Sequence, residues 1–111
     1  MASSVATRGM FVGGGWAAAE SGETFIAESP ATGEQIGEVP QGGRADAQRA
    51  IAAANDAANG WARLTAFERA ALMHRVGDEI EKRRDELAHV LTLDQGKPLH
   101  ESRDELLDLV A

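Results

Sequence analysis

The stretch from Thr65 to Pro98 constrains the fold more than any other part of the chain. Thr65 stands three residues before Glu68, the spacing of a capping box in which each side chain satisfies a backbone N–H of the first helical turn. Leu72, Val76 and Ile80 come next at intervals of four with Met73 beside them, so they line one face of a helix. Lys82, Arg83 and Arg84 sit where cations favour a helix C-terminus, and Asp85 and Glu86 where anions favour the next N-terminus. That order of charges predicts a break or tight bend. A second helix carries Leu87, Val90 and Leu91, and Gly96 followed by Pro98 gives it a stop. Both helices are amphipathic and need a partner surface, and neither carries evident chemistry.

The supply of core material is small. The chain has 111 residues, one domain or part of one. Of its 43% hydrophobic residues, nearly half are the 21 alanines, leaving 22 Leu, Ile, Val and Phe to build a core. That is close to the fraction below which a charged chain fails to fold, and a lone domain of this size is marginal even with a good core. The apolar faces are therefore expected to dock on something outside this chain.

A formal net charge of −7 argues against nucleic acid, since no basic stripe exists to neutralise phosphates and the Lys82–Arg84 cluster is flanked by acids. With no cysteine, the 111 residues offer no disulfide, thiolate metal site or cysteine nucleophile, which points to a cytoplasmic setting. No apolar run reaches the length of a membrane span, and the first residues lack a signal-peptide core.

Taken in order, residues 1–9 read as a disordered leader of small polar residues. Met10 to Val12, Gly13 to Gly15 and Trp16 read as a strand, a glycine turn and a return strand. Glu23 to Glu28 is strand-like, Ser29 to Glu34 a turn, and Gln35 to Val39 the strand that pairs back, with Pro40 to Gly43 a loop. An alanine-rich helix is predicted from about Ala45 to Asn59, with Ala50, Ile51, Ala54 and Ala58 facing inward. Asn59-Gly60 ends it and Trp61 anchors the loop beyond. After Pro98 a last helix carries Leu99, Leu106, Leu109 and Val110 and reaches Ala111 without a cap. The predicted architecture is two short β-hairpins followed by about four α-helices.

Several motifs invite a chemical reading. Gly13-Gly-Gly15-Trp-Ala-Ala18 matches the G-x-G-x-x-G/A dinucleotide fingerprint, but Ser21-Gly22 interrupts any helix that could present its N-terminus to a pyrophosphate, so hairpin glycines are the better reading. Gly96-Lys97 has Pro98 where a phosphate-binding loop needs Ser or Thr, and reads as a helix end. His74, His89 and His100 are single histidines without metal-ligand spacing, and Glu101, Asp104, Glu105 and Asp108 form a solvated helix face. No catalytic, cofactor-binding or metal-binding residue is assigned.

In order along the chain, Phe11-Val-Gly-Gly-Gly-Trp16, Ser29-Pro-Ala-Thr-Gly-Glu34, Ala50 to Ala58 before Trp61, Glu68-Arg69 and Leu93-Asp-Gln-Gly-Lys-Pro-Leu99 with Glu101 and Glu105 closely resemble the N-terminal portion of NAD(P)-dependent aldehyde dehydrogenases. Each block alone is weak, and five in register from about Met10 onward carry the resemblance. The wording Gln95-Gly-Lys-Pro-Leu99 is most similar to the succinate-semialdehyde dehydrogenase branch, and Ser29 departs from the family's usual Asn. The resemblance implies an α/β fold in which residues 10–111 form the N-terminal part of a Rossmann-like cofactor-binding domain, truncated here. It implies a parent that oxidises an aldehyde, such as succinate semialdehyde, to the acid with NAD or NADP, as a homo-oligomer.

The same resemblance puts the family's catalytic cysteine, general-base glutamate and cofactor-binding segments beyond these residues, so the chain alone is expected to be inactive and to bind no cofactor. Its partner would be the rest of the fold, with no nucleic acid or membrane involved. Some members hold a structural monovalent cation through backbone oxygens near Ala27 and Glu28 and a carboxylate near Glu105 or Asp108. The rival reading is a free-standing helical interaction module derived from that family, which the nucleotide sequence after codon 111 would distinguish.

Overall fold

The computed structural model describes residues 9–110, so the leader expected over residues 1–9 lies outside the described residues apart from Gly9. The described residues form an α/β arrangement of two strand pairs followed by four helices. They fall into two compact units, one drawn from residues up to Ala27 together with Gly37–Leu64, the other from Glu28–Ile36 together with Thr65 onward.

In the first unit, β1 (Met10–Val12) pairs antiparallel with β2 (Gly15–Ala17) in the register Met10 to Ala17, Phe11 to Trp16 and Val12 to Gly15. Gly13 and Gly14, at φ of 61° and 82°, make the two-residue turn. Two successive left-handed residues give a turn whose twist matches that of the strands it joins, and glycine takes that conformation without Cβ strain. Phe11 and Trp16, directly opposite, meet edge-on with ring centroids 5.0 Å apart.

The second strand pair, β3 (Thr24–Glu28) and β4 (Gln35–Pro40), closes through the turn expected at Ser29 to Glu34. Ser29 is buried there. Its N–H donates to the Glu34 carbonyl at 2.9 Å and its own carbonyl accepts from Gly33 N–H at 2.7 Å. Ser29 thus sits in a hydrogen-bonded turn. At the open end Gln41 N–H donates to the Glu23 carbonyl at 2.8 Å, and the Thr24 hydroxyl bonds the Glu38 carboxylate.

Helix α1 (Arg44–Arg63) corrects two expectations. Asn59-Gly60 does not end it, and Trp61 lies in its last turn, 45% exposed, rather than anchoring a loop. Glycine stops a helix when it turns left-handed, and Gly60 is not among the described glycines with positive φ. The helix stops instead where Leu64 and Thr65 are both extended, at ψ of 143° and 160°. The inward face also differs. Asp46, Ala50 and Ala53, at helical spacing, are the shielded positions, while Ile51, Ala54 and Ala58 are exposed. Ala53 Cβ lies 3.8 Å from where a side chain on Gly13 would begin, so α1 packs this face against the first hairpin.

In the second unit, α2 (Ala66–Lys82) opens with the capping box that Thr65 and Glu68 predict. Thr65 N–H donates to the Glu68 carboxylate at 2.7 Å and Glu68 N–H to the Thr65 hydroxyl at 3.2 Å. The break expected at the basic run falls on Arg83, which ends α2 and opens α3 (Arg84–Gln95). There Arg83 forks onto Glu86 at 3.0 and 2.6 Å. Gly96 ends α3 in the left-handed conformation, φ 73°, with its N–H on the Thr92 carbonyl at 2.8 Å, and α4 (Leu99–Val110) comes after it.

Helices α3 and α4 hold the best-packed part of this unit. Ala88 and Ser102 are fully buried, Leu106 nearly so, and the Ser102 and Thr92 hydroxyls bond at 2.8 Å. The buried apolar side chains among the described residues are Ala19, Ala88 and Leu106. The stripe that periodicity picks out on α2 is largely uncovered, with Leu72 37% and Val76 51% exposed. On α2 the shielded positions are Arg69, Gly77 and Ile80.

Candidate functional site

The most built polar site in the first unit centres on Asp46, in the first turn of α1. Its carboxylate is only 5% exposed and accepts from Gly43 N–H at 2.9 Å, Glu20 N–H at 3.1 Å and the Arg49 guanidinium at 2.9 Å. Arg49 also donates to the Ala18 carbonyl at 3.4 Å. The sequence builds this locally. Asp46 stands three positions after Gly43, so an acid at the third helical position reaches back to the N-cap N–H, half of a capping box whose other half glycine cannot supply. Arg49 lies one turn on, on the same face.

Gly43 N–H foremost, then Glu20 N–H and the charge of Arg49, hold the Asp46 carboxyl below the usual carboxylate range against the opposing effect of burial. Its chemistry is that of a structural acceptor. The carboxylate occupies the cationic end of the α1 dipole, the place an anionic ligand would take, beside a shallow hollow lined by Glu20, Ser21, Gly43, Arg44 and Ala45. Sequence reasoning did not single out Asp46. The signal was the Gly-x-x-Asp spacing at a helix start, obscured because glycine is an unremarkable N-cap.

A second hollow runs between the β1–β2 turn and α1, lined by Phe11, Val12, Gly13 and Gly14 on one side and by Ala50, Ala53, Ala54, Asp56 and Ala57 on the other. It is apolar apart from Asp56. The glycines of the dinucleotide-like motif therefore lie in a hairpin, and the next element along the chain is strand β2, with no helix until Arg44. These residues do not fit a dinucleotide, because no strand–turn–helix presents backbone N–H groups to a pyrophosphate.

The other candidates lie apart from one another. His74, His89 and His100 are exposed on α2, α3 and α4, with His89 Nδ1 2.8 Å from the Asp85 carbonyl. Glu101, Asp104, Glu105 and Asp108 are exposed along α4, and Lys97 pairs with Glu105. Among the described residues no three His, Cys, Asp or Glu side chains converge to hold a metal, and no helix is long and apolar enough to cross a membrane.

This arrangement of strands, caps and helices is one that known proteins share. Residues 16–111 match the aldehyde dehydrogenase family model. The chain belongs to the aldehyde dehydrogenase family. Over 96 residues, 86% of the chain, it is 46% identical to a 3-sulfolactaldehyde dehydrogenase of Pseudomonas putida and 45% identical to a glutarate-semialdehyde dehydrogenase of Pseudomonas aeruginosa. A solved succinate-semialdehyde dehydrogenase from Burkholderia pseudomallei superposes on 86% of the chain with a TM-score of 0.83 and 48% identity. In each case the chain spans about a fifth, 20%, of the relative's own length.

Proposed function

We propose that these residues are the N-terminal portion of an NAD(P)-dependent aldehyde dehydrogenase whose substrate is a short aldehyde that also bears an acidic group. The observation that carries the reading is the set of relatives. 3-Sulfolactaldehyde, glutarate semialdehyde and succinate semialdehyde each pair an aldehyde with a sulfonate or carboxylate, and the proteins named for them are 45–48% identical to this chain. On this reading residues 10–111 are part of the cofactor-binding domain. The parent converts the aldehyde to the carboxylic acid as a cytoplasmic homo-oligomer, with NAD or NADP as hydride acceptor.

The 111 residues contain no cysteine, so the thiol that adds to the aldehyde carbonyl is supplied elsewhere in the parent, as are the base and the cofactor site. The contribution of this chain is scaffold, and we assign it no catalytic, cofactor-binding or metal-binding residue. The test has two arms. Titrated with NAD and NADP by calorimetry, the 111-residue chain gives no binding, and with an aldehyde panel no change in nicotinamide absorbance. A chain extended to the relatives' full length turns over succinate and glutarate semialdehydes in preference to benzaldehyde. Micromolar cofactor binding by the short chain, or a preference of the long one for benzaldehyde, overturns the reading.

A further inference from the structure

Helix α1 is held at one end only. Its shielded positions, Asp46, Ala50 and Ala53, lie in the first half, and every residue from 54 to 63 is exposed. Inside that uncovered half stands Asn59-Gly60, four residues before the helix ends at Arg63. We propose that Asn59-Gly60 is a self-modification site, at which opening of the distal half of α1 gates conversion of Asn59 to aspartate and isoaspartate.

The chemistry needs no enzyme and no oxidant. The backbone nitrogen of Gly60, losing its proton to hydroxide, attacks the Asn59 side-chain carboxamide carbon. A C–N bond forms, the bond to the amide nitrogen breaks, and ammonia leaves, closing a five-membered succinimide. Water then adds to either carbonyl, opening the ring to aspartate or isoaspartate. Glycine at the second position favours the attack because it has no Cβ to crowd the nitrogen. A closed helix opposes it, since helical geometry holds the Gly60 nitrogen in the backbone ladder and away from the carboxamide.

Two features of the structure lower that barrier. Glycine within a helix weakens it relative to alanine, and nothing lies within 4 Å of where a Gly60 side chain would begin, so no packing compensates. Every position from 54 to 63 is exposed, with Ala54, Asp56 and Ala57 bordering only the open hollow beside the β1–β2 turn, so little packing secures the distal turns, and such segments open at low cost. Conversion would be self-reinforcing. A new carboxylate near the C-terminal end of α1 is disfavoured by the helix dipole, although Arg63 lies on the next turn, and isoaspartate inserts an extra backbone carbon that breaks helical register.

The same helix supplies an internal control, Asn55-Asp56, also exposed but with a side chain on the second residue. The full chain is incubated at mildly alkaline pH and mapped by peptide mass spectrometry and isoaspartate detection, with and without urea. The expected result is Asn59 converting several times faster than Asn55 in the folded chain, and faster again in urea. Gly60→Ala is expected to slow it, helix propensity alone lowering the open population about fivefold. Conversion of folded Asn59 no faster than Asn55, or a rate unchanged by urea, overturns the proposal. Circular dichroism of Gly60→Ala verifies that the helix is retained in the variant.

Discussion

The α3–α4 pair and the distal half of α1 are both helical, yet they are held in opposite ways. Helices α3 and α4 are 12 residues each and lock together through two fully buried small residues, Ala88 and Ser102, with Leu106 beside them and the hydroxyl bond from Thr92 to Ser102 at their contact. Helix α1 has 20 residues, is anchored near its start by Asp46, and leaves its last ten without cover. Helix length therefore says little about what secures a helix. Contact made over two turns stabilises more than length without contact, because in water most helical stability comes from packing.

The largest effect expected from that contrast is at Leu106, 8% exposed on α4. Leu106→Ala should lower stability by about 2–3 kcal/mol, the transfer and cavity cost of a buried leucine. Ile51→Ala on α1, 68% exposed, should fall within about 0.5 kcal/mol of wild type. Denaturant melts of the full chain measure both, and equal effects would remove the distinction between the two regions.

Next in size is Gly96→Ala. Its φ of 73° strains any side chain, and the new Cβ would stand 3.0 Å from Pro30 Cγ, so a loss of about 1–2 kcal/mol is expected. Thr65→Ala ranks after it at about 1 kcal/mol, the value of one N-cap, with Thr65→Ser restoring most of it. An unchanged midpoint for either alanine variant would mean that these caps are not what ends α3 and starts α2.

The smallest effect is in acid. Asp46 and Glu68 both sit below the usual carboxylate range, Asp46 chiefly because of Gly43 N–H and Glu68 because of Thr65 N–H. A depressed folded-state value means that the stabilisation is full above the ordinary carboxylate pKa and is lost as pH falls through the folded one. Stability should thus be flat near neutrality and decline only on the acid side, with a shallower decline in Asp46→Asn. An identical acid profile for that variant would show that Asp46 contributes nothing through its charge.

Much of the fold is legible in the sequence for a local reason. The capping box at Thr65, the break at Arg83, the Gly96 stop and the glycine turn after Val12 each depend on a few neighbouring residues, and the structure reproduces them, except that Gly15, expected in the turn, belongs to β2. Asn59-Gly60 misleads because glycine permits a left-handed stop without requiring one, and the extended pair Leu64 and Thr65 sets the end instead. The inward face of α1 misleads because composition ranks Ile51 above Asp46. Hydrogen bonds to Gly43 and Glu20, 26 residues away in the second case, turn the helix so that the acid goes in and the isoleucine out.

The sequence by itself determined the order of the elements, most of their caps and, through five motifs in register, the family. Those are short-range properties, fixed by backbone sterics and by side chains reaching their own helix ends. The tertiary structure alone decided which faces are covered: Ala88, Ser102 and Leu106 at the α3–α4 contact, Asp46 beneath Glu20 and Gly43, and Leu72 and Val76 left in water. Periodicity shows that a face is apolar, but burial needs a second surface to meet it, and where that surface lies is a property of the assembled chain.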